Sequence, residues 1–202
     1  MKLLKQFVPS VLMCASLLYA QEPPPTRVAL SNASNIPAEE IVRLFGKECS
    51  YITVGADLAA APYVLQATKT ITRSGLRIER VAQFDLTVSD QEGILVGEVS
   101  GTSLKSAVKE ICHVVKTSVM VEIVSAQNLK LDRETHTEVS AIHVVVNGEH
   151  ALLDCFERNV PCATITPGKY YAVRQGDGVW VTYRMPITHQ VTRSHYKVSG
   201  SW

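Results

Sequence analysis

The sequence lacks any excess of charge, and it lacks a long apolar run beyond its first twenty residues. The chain of 202 residues carries 20 basic and 19 acidic side chains, which gives a formal net charge of +1. A near-neutral chain offers no broad electrostatic surface to nucleic acid or to an anionic membrane. We therefore expect no nucleic-acid partner, and we expect membrane contact only through an uncleaved signal segment or through a partner.

The sequence also lacks the short motifs that mark many catalytic sites. It contains no G-x-S-x-G elbow, no H-E-x-x-H pair, no P-loop and no C-x-x-C. We accordingly predict no catalytic residue and no cofactor. A dispersed site of Ser, His and Asp would leave no local signature, so an enzyme stays open as an alternative.

The amino terminus is typical of a secretory signal. Lys2 and Lys5 precede "FVPSVLMCASLLYA", an apolar stretch that is too short to span a bilayer. Ala20 supplies a small residue for cleavage. We predict a signal peptide over residues 1–20 and a stiff, proline-rich leader over 21–26, and hence a periplasmic or secreted protein. An N-terminal membrane anchor is one alternative, and lipidation at Cys14 is another.

Residues 27–127 show the pattern of an α+β domain. Apolar side chains recur at helical spacing in residues 34–49 and 102–124, which predicts two helices. Strands are predicted at residues 27–32, 51–55, 63–72, 76–90 and 93–101. We expect an antiparallel sheet that carries both helices on one face.

Residues 128–202 predict a small all-β sandwich or barrel. Asn147-Gly148 lies between alternating apolar residues and predicts a two-residue type I′ hairpin. In that register Val146 pairs with Glu149, and Cys155 lies on the apolar, inward face. Further turn signals occur at intervals of about ten residues, which is typical of such folds.

Four cysteines remain after the predicted signal peptide, and an even number in an exported chain favours disulfides. We predict the pairs Cys155–Cys162 and Cys49–Cys112. Six residues separate the first two cysteines, which is not the spacing of C-x-x-C redox enzymes. Cys49 and Cys112 fall on the apolar stripes of the two helices. Buried free thiols are the alternative for both pairs, and a metal or redox role is a further alternative for Cys155 and Cys162.

Histidines concentrate after residue 130, and two of them fall together. In the hairpin register His143 and His150 are diagonal neighbours on the outward face. With a third ligand they would form a surface metal site. Solvated histidines on a sheet face are the plainer interpretation.

Aromatic side chains also concentrate late in the chain. We predict a candidate binding surface among Tyr170, Tyr171, Trp180 and Tyr183. Neighbouring residues of a strand face opposite sides, so Tyr170 and Tyr171 cannot both be exposed. One set of aromatics is therefore expected in the core.

The segment "RVALSN…IPAEEIVRLFGKEC…ADLAAAPYVLQATKTI" resembles bacterial envelope proteins, namely the TolB amino-terminal domain and the curli-secretion lipoprotein family. The resemblance covers residues 26–125. The whole chain is also similar to exported proteins of soil bacteria. The resemblance implies an α+β envelope domain used for protein contacts, with no catalytic residues to transfer.

The function predicted from these observations is that of an exported, non-enzymatic envelope protein that binds a protein or a cell-wall component. The alternative is an exported hydrolase with a dispersed Ser/His/Asp site or a His–metal site in the β domain.

Overall fold

A computed structural model of the chain describes residues 25–56, 61–74, 79–132, 137–155, 165–185, 188 and 190–199. The predicted signal peptide and most of the leader lie outside these residues, as does Cys162. The described residues form two helices and eleven strands. In chain order these are β1 (Thr26–Leu30), α1 (Ala38–Glu48), β2 (Ile52–Gly55), β3 (Tyr63–Ser74), β4 (Glu79–Asp90), β5 (Leu95–Gly101), α2 (Leu104–Thr117), β6 (Ser118–Asp132), β7 (Thr137–Val146), β8 (Glu149–Cys155), β9 (Gly168–Gln175), β10 (Gly178–Arg184) and β11 (Val191–Val198).

Strands β1–β5 form one sheet in the order β2-β1-β3-β4-β5. The predicted α+β class with two helices is confirmed. The sheet is mixed rather than antiparallel, because β1 pairs in parallel with both β2 and β3. Helix α1 carries the chain back between β1 and β2, and such a crossover joins parallel strands. The pairs β3–β4 and β4–β5 are antiparallel, as expected of hairpins.

Both helices bury one stripe against this sheet. Ile41 and Phe45 of α1 and Ile111 of α2 are almost fully buried. They share a core with Leu65 and Leu86 of the central strands. Each such side chain contributes about 1.5–3 kcal/mol when it leaves water, so this stripe is the main reason that the helices stay on the sheet.

Helix α2 ends at Thr117, whereas the sequence predicted a helix over residues 102–124. The segment Ser118–Val124 is strand, and within it Val121 and Ile123 are buried while Glu122 is exposed. β-Branched side chains that alternate in this way favour a pleated strand over a helix. Strand β6 therefore begins directly after α2, with no residue between them.

The remaining strands close into a barrel in the order β10-β11-β8-β7-β6-β9. Its interior is a second core, which includes Val121, Ile142, Leu153 and Tyr196. In the part of the chain that the structure describes, neither helix is long and apolar enough to cross a membrane. The barrel uses the chain from Ser118 onward, ahead of the boundary predicted at residues 127 and 128. The division of the chain into separate domains stays a prediction.

The β7–β8 hairpin has the predicted register. Val146 pairs with Glu149, and Ser140 pairs with Cys155 at the far end. Asn147 and Gly148 both adopt positive φ angles, 52° and 86°. Such angles are required of a type I′ turn, which Asn-Gly favours.

Candidate functional site

A cleft of about 220 Å³ lies where the helix-covered sheet meets the barrel. Strand β5, which is the last strand of its sheet, forms one wall. Helix α2 and strands β9, β10 and β11 supply the others. The residues that line the cleft are Gly97, Glu98, Val99, Ser100, Glu110, Val114, Val173, Thr182, Val191 and Arg193.

Gly97 lets helix α2 approach β5 closely at this place. A Cβ atom on Gly97 would run into the Cγ1 atom of Val114. A glycine within a strand often marks such a close approach of two elements. The valines thereby form an apolar wall that continues from α2 to the barrel strands.

A cation is held at the cleft by an aromatic ring. The Arg193 guanidinium carbon lies 4.8 Å from the centroid of the Trp180 ring. Trp180 in turn stacks on His195, with 4.4 Å between the ring centroids. A guanidinium over the face of a tryptophan is attracted by the ring, which restricts the conformations of the arginine side chain. Arg193 is therefore presented to the cleft in a restricted orientation.

Two carboxylates and a hydroxyl complete the polar lining. Glu98 and Glu110 are exposed at the cleft. The Ser100 Oγ atom donates a hydrogen bond of 2.6 Å to Asp85 Oδ1, which also accepts 3.0 Å from Gln83 Nε2. A serine nucleophile needs a general base beside it, most often an imidazole. Among the described residues, the lining of the cleft contains no histidine.

The structure buries two of the four aromatic residues predicted as a binding surface. Tyr171 is 7% exposed and Tyr183 is 2% exposed. Tyr171 points out of the barrel and packs edge-on against Tyr63 of the sheet, with 6.4 Å between the ring centroids. Tyr183 points into the barrel, where its hydroxyl lies 3.2 Å from Ser194 Oγ. The prediction is wrong for these two residues. The helix-covered sheet buries Tyr171 on the outer face of the barrel, and the barrel core buries Tyr183 on the inner face.

Tyr170 and Trp180 are both partly buried, but they lie on opposite faces of the barrel wall. The Tyr170 hydroxyl donates a hydrogen bond of 2.8 Å to the Thr166 carbonyl, and its ring meets Tyr183 edge-on. Trp180 faces outward toward His195. The four aromatic residues therefore do not share one surface.

Tyr171 joins the barrel to the sheet. It belongs to strand β9 of the barrel, yet its side chain is part of the core beneath the helices. Burial raises the pKa of the Tyr171 hydroxyl well above its usual value, and nearby Tyr63 and Asp90 raise it further. The group is accordingly neutral at all ordinary pH values, which is compatible with its buried position.

The predicted diagonal pair of histidines is present on the outer face of the β7–β8 hairpin. His143 Nε2 and His150 Nδ1 are 2.9 Å apart. Across the described residues, no group of three His, Cys, Asp or Glu side chains is placed to hold a metal ion.

One of the two predicted disulfides lies within the described residues. Cys49 and Cys112 are bonded, with 6.1 Å between their Cα atoms, and the bond ties α1 to α2. Cys155 is 1% exposed and is disulfide-bonded. Its predicted partner, Cys162, lies outside the described residues, so that pairing stays a prediction.

The charged residues of the cleft were not found from the sequence. Glu98, Glu110 and Arg193 come from three elements that are far apart along the chain, and no local pattern connects them. The isolated Gly97 inside an apolar strand was the available signal, because it indicates close approach of another element.

Comparison with known proteins gives little further information. No family model and no curated protein matches the chain. Among solved structures the chain is similar to the crystal structure of TolB from Acinetobacter baumannii, with 12% sequence identity and a TM-score of 0.30. The match covers 85% of this chain and 60% of that chain. Similarity at this level carries no argument about function, which has to be derived from the cleft.

Proposed function

We propose that this protein is an exported, non-enzymatic binding protein whose cleft receives one or two side chains of a partner in the cell envelope. One observation carries the proposal. At the junction of the sheet and the barrel, an arginine held by Trp180 lies among apolar walls and two carboxylates. Junctions between layers or domains are frequent places for binding sites.

The size of the cleft favours a protein partner. Its volume of about 220 Å³ is below the ~300–1,000 Å³ that pockets for small molecules usually have. That space suits a few projecting side chains better than a whole cofactor or substrate.

The charges of the cleft indicate what kind of side chains would fit. The Arg193 guanidinium is suited to a carboxylate, which it can bind through two parallel hydrogen bonds. Glu98 and Glu110 favour a basic group nearby. We expect the partner to present an acidic side chain next to a basic one.

Export is supported by the buried bond between Cys49 and Cys112. Structural disulfides persist in oxidising compartments and are rare in the cytosol. The predicted signal peptide at residues 1–20 is in agreement with this location.

The test is a binding measurement with a matched pair of variants. A partner is first cross-linked to the wild-type protein in envelope preparations, identified by mass spectrometry and purified. Its affinity is then measured by calorimetry for wild type, Arg193→Gln and Arg43→Gln. Arg43 lies on the exposed side of α1 and does not line the cleft.

We expect Arg193→Gln to weaken binding at least about tenfold, since a hydrogen bond to a charged group contributes roughly 1.5–3 kcal/mol. Arg43→Gln should bind like wild type. Equal affinities for all three proteins would show that the cleft is not the binding site. Hydrolysis of an envelope component by the purified wild-type protein would support the hydrolase instead.

A further inference from the structure

Strand β5 presents its edge, rather than one of its faces, to the cleft. Four consecutive residues of the strand, Gly97–Ser100, line the space. Successive side chains of a strand point to opposite faces, so a space that touches four residues in a row lies beside the backbone. β5 is the last strand of its sheet, and the barrel strands across the cleft belong to a separate sheet. The backbone of β5 therefore borders the cleft directly.

The hydrogen bonds of β3 reveal the direction of the backbone groups across the whole sheet. The N–H and the carbonyl of Lys69 both bond to the Asn35 side chain, at 2.6 and 3.2 Å, on the side of β3 away from β4. Lys69 is opposite Phe84 of β4. Residues paired in an antiparallel sheet either bond to each other or both point away, so the Phe84 backbone groups point to β5. There Phe84 is opposite Gly101, and these two residues bond to each other.

The same alternation fixes the direction of the backbone groups in β5. Val99 lies two positions before Gly101, so both residues direct their N–H and carbonyl groups to β4. Ser100 and Glu98 alternate with them, and their N–H and carbonyl groups therefore point away from the sheet, on the side of the cleft. In the part of the chain that the structure describes, no backbone group of another element bonds to these four groups. Such a row of donors and acceptors is a place where a further strand can pair.

We propose that the partner enters the cleft as an extended segment whose main chain pairs with β5 at Glu98 and Ser100 and whose acidic side chain binds Arg193. The inference rests on the proposed function, because it describes how the partner occupies the same cleft. In strand addition the main-chain hydrogen bonds supply affinity, and the side chains of the added segment supply specificity. Arg193 lines the cleft and is held by Trp180, so it selects a carboxylate on that segment. The bonding positions of the segment exclude proline, which has no N–H to donate.

A matched pair of variants isolates the main-chain group of Ser100. Ser100→Pro removes the N–H that points away from the sheet, and an edge strand tolerates proline at such a position. Ser100→Ala keeps that N–H, and both variants lose the hydroxyl that bonds to Asp85. The probe is the purified partner from the cross-linking experiment, and its affinity for each variant is measured by calorimetry. Thermal melting establishes that both variants are folded, and Glu98→Pro with Glu98→Ala repeats the comparison if Ser100→Pro is not.

We expect Ser100→Pro to bind the partner at least about tenfold more weakly than Ser100→Ala, because a hydrogen bond is lost and its acceptor on the partner is left unpaired. Amide hydrogen exchange, measured residue by residue by NMR, gives a second readout in the wild-type protein. The amides of Glu98 and Ser100 should exchange at least about tenfold more slowly when the partner is bound. The amide of Val99 is the internal control, because it already bonds to β4 and its exchange should change less.

The outcomes separate this inference from the proposed function. Suppose that Arg193→Gln weakens binding, but that Ser100→Pro and Ser100→Ala bind equally or the amides of Glu98 and Ser100 exchange as in the free protein. Either result would show that the partner uses the cleft without adding a strand, which overturns the inference and leaves the proposed function intact. If Arg193→Gln binds the partner like wild type, the cleft is not the binding site, and both proposals fail.

Discussion

Removal of the disulfide between α1 and α2 should cost a large part of the stability of the sheet. The bond joins Cys49 to Cys112, which are 63 positions apart in the chain. The chain-entropy model gives about 4.3 kcal/mol at 25 °C for a loop of 63 residues. Measured values are usually roughly 2–4 kcal/mol, and a whole domain is stable by only about 5–15 kcal/mol. We expect Cys49→Ala/Cys112→Ala to lose about 2–4 kcal/mol.

Urea unfolding monitored by circular dichroism at 222 nm is the appropriate assay, because the signal comes mainly from α1 and α2. Trp180 fluorescence, measured in a Trp202→Phe background because the chain has a second tryptophan, reports on the barrel under the same conditions. If the two sheets unfold separately, the loss should appear in the circular dichroism transition and not in the fluorescence transition.

The urea dependence separates the two causes that could destabilise the variant. A chain without the crosslink expands further when unfolded, so the slope of free energy against urea concentration should increase. Loss of sulfur packing alone would leave that slope unchanged. The reasoning is refuted if the variant loses less than about 1 kcal/mol, well below the usual range, or if the slope stays constant.

Three further changes test the fold at single positions. Asn147→Ala should destabilise the hairpin by about 1–2 kcal/mol in urea unfolding, because alanine is strained at a positive φ angle. Asn147→Gly should be neutral, and equal stability of the two variants would contradict this explanation. Gly97→Ala should cost about 1–3 kcal/mol, since its Cβ atom meets Val114. Gly46 lies on an open helix surface, so the control Gly46→Ala should gain up to about 1 kcal/mol of stability. A gain in stability for both variants would show that there is room for a Cβ atom at Gly97. The raised pKa of Tyr171 means that the folded state keeps the proton longer than the unfolded chain, whose tyrosines ionise near pH 10. Wild type should therefore lose stability as the pH rises above about 10, and Tyr171→Phe should lose less. Identical pH profiles of the two proteins would count against this assignment.

Local chemistry explains the parts of the fold that the sequence predicts well. The Asn147-Gly148 turn determines the pairing of its own strands, so the positions of His143 and His150 depend on a few neighbouring residues. The pairing of Cys49 with Cys112 results from two apolar stripes at helical spacing. These features need no knowledge of how distant segments pack.

Features that depend on distant segments were predicted poorly. The end of α2 was missed because valine and isoleucine positions after Thr117 fit a helical stripe as well as a strand. Tyr171 was placed in a candidate surface because alternation along a strand shows that two faces exist, but not that the sheet covers the outer one. The cleft combines β5 with strands that come much later in the chain, and nothing near Arg193 in sequence indicates Glu98.

The direct junction of α2 and β6 has a mechanical consequence. The amide of Ser118 and its hydroxyl both donate hydrogen bonds to the Val114 carbonyl. These bonds connect the last turn of α2 to the first residue of strand β6. Cys112 anchors the same helix to α1. Helix α2 and strand β6 should therefore move together. Because α2 forms one side of the cleft and barrel strands form another, the width of the cleft should be fixed. A partner would have to match that width, because bending at this junction would break the hydrogen bonds that hold it.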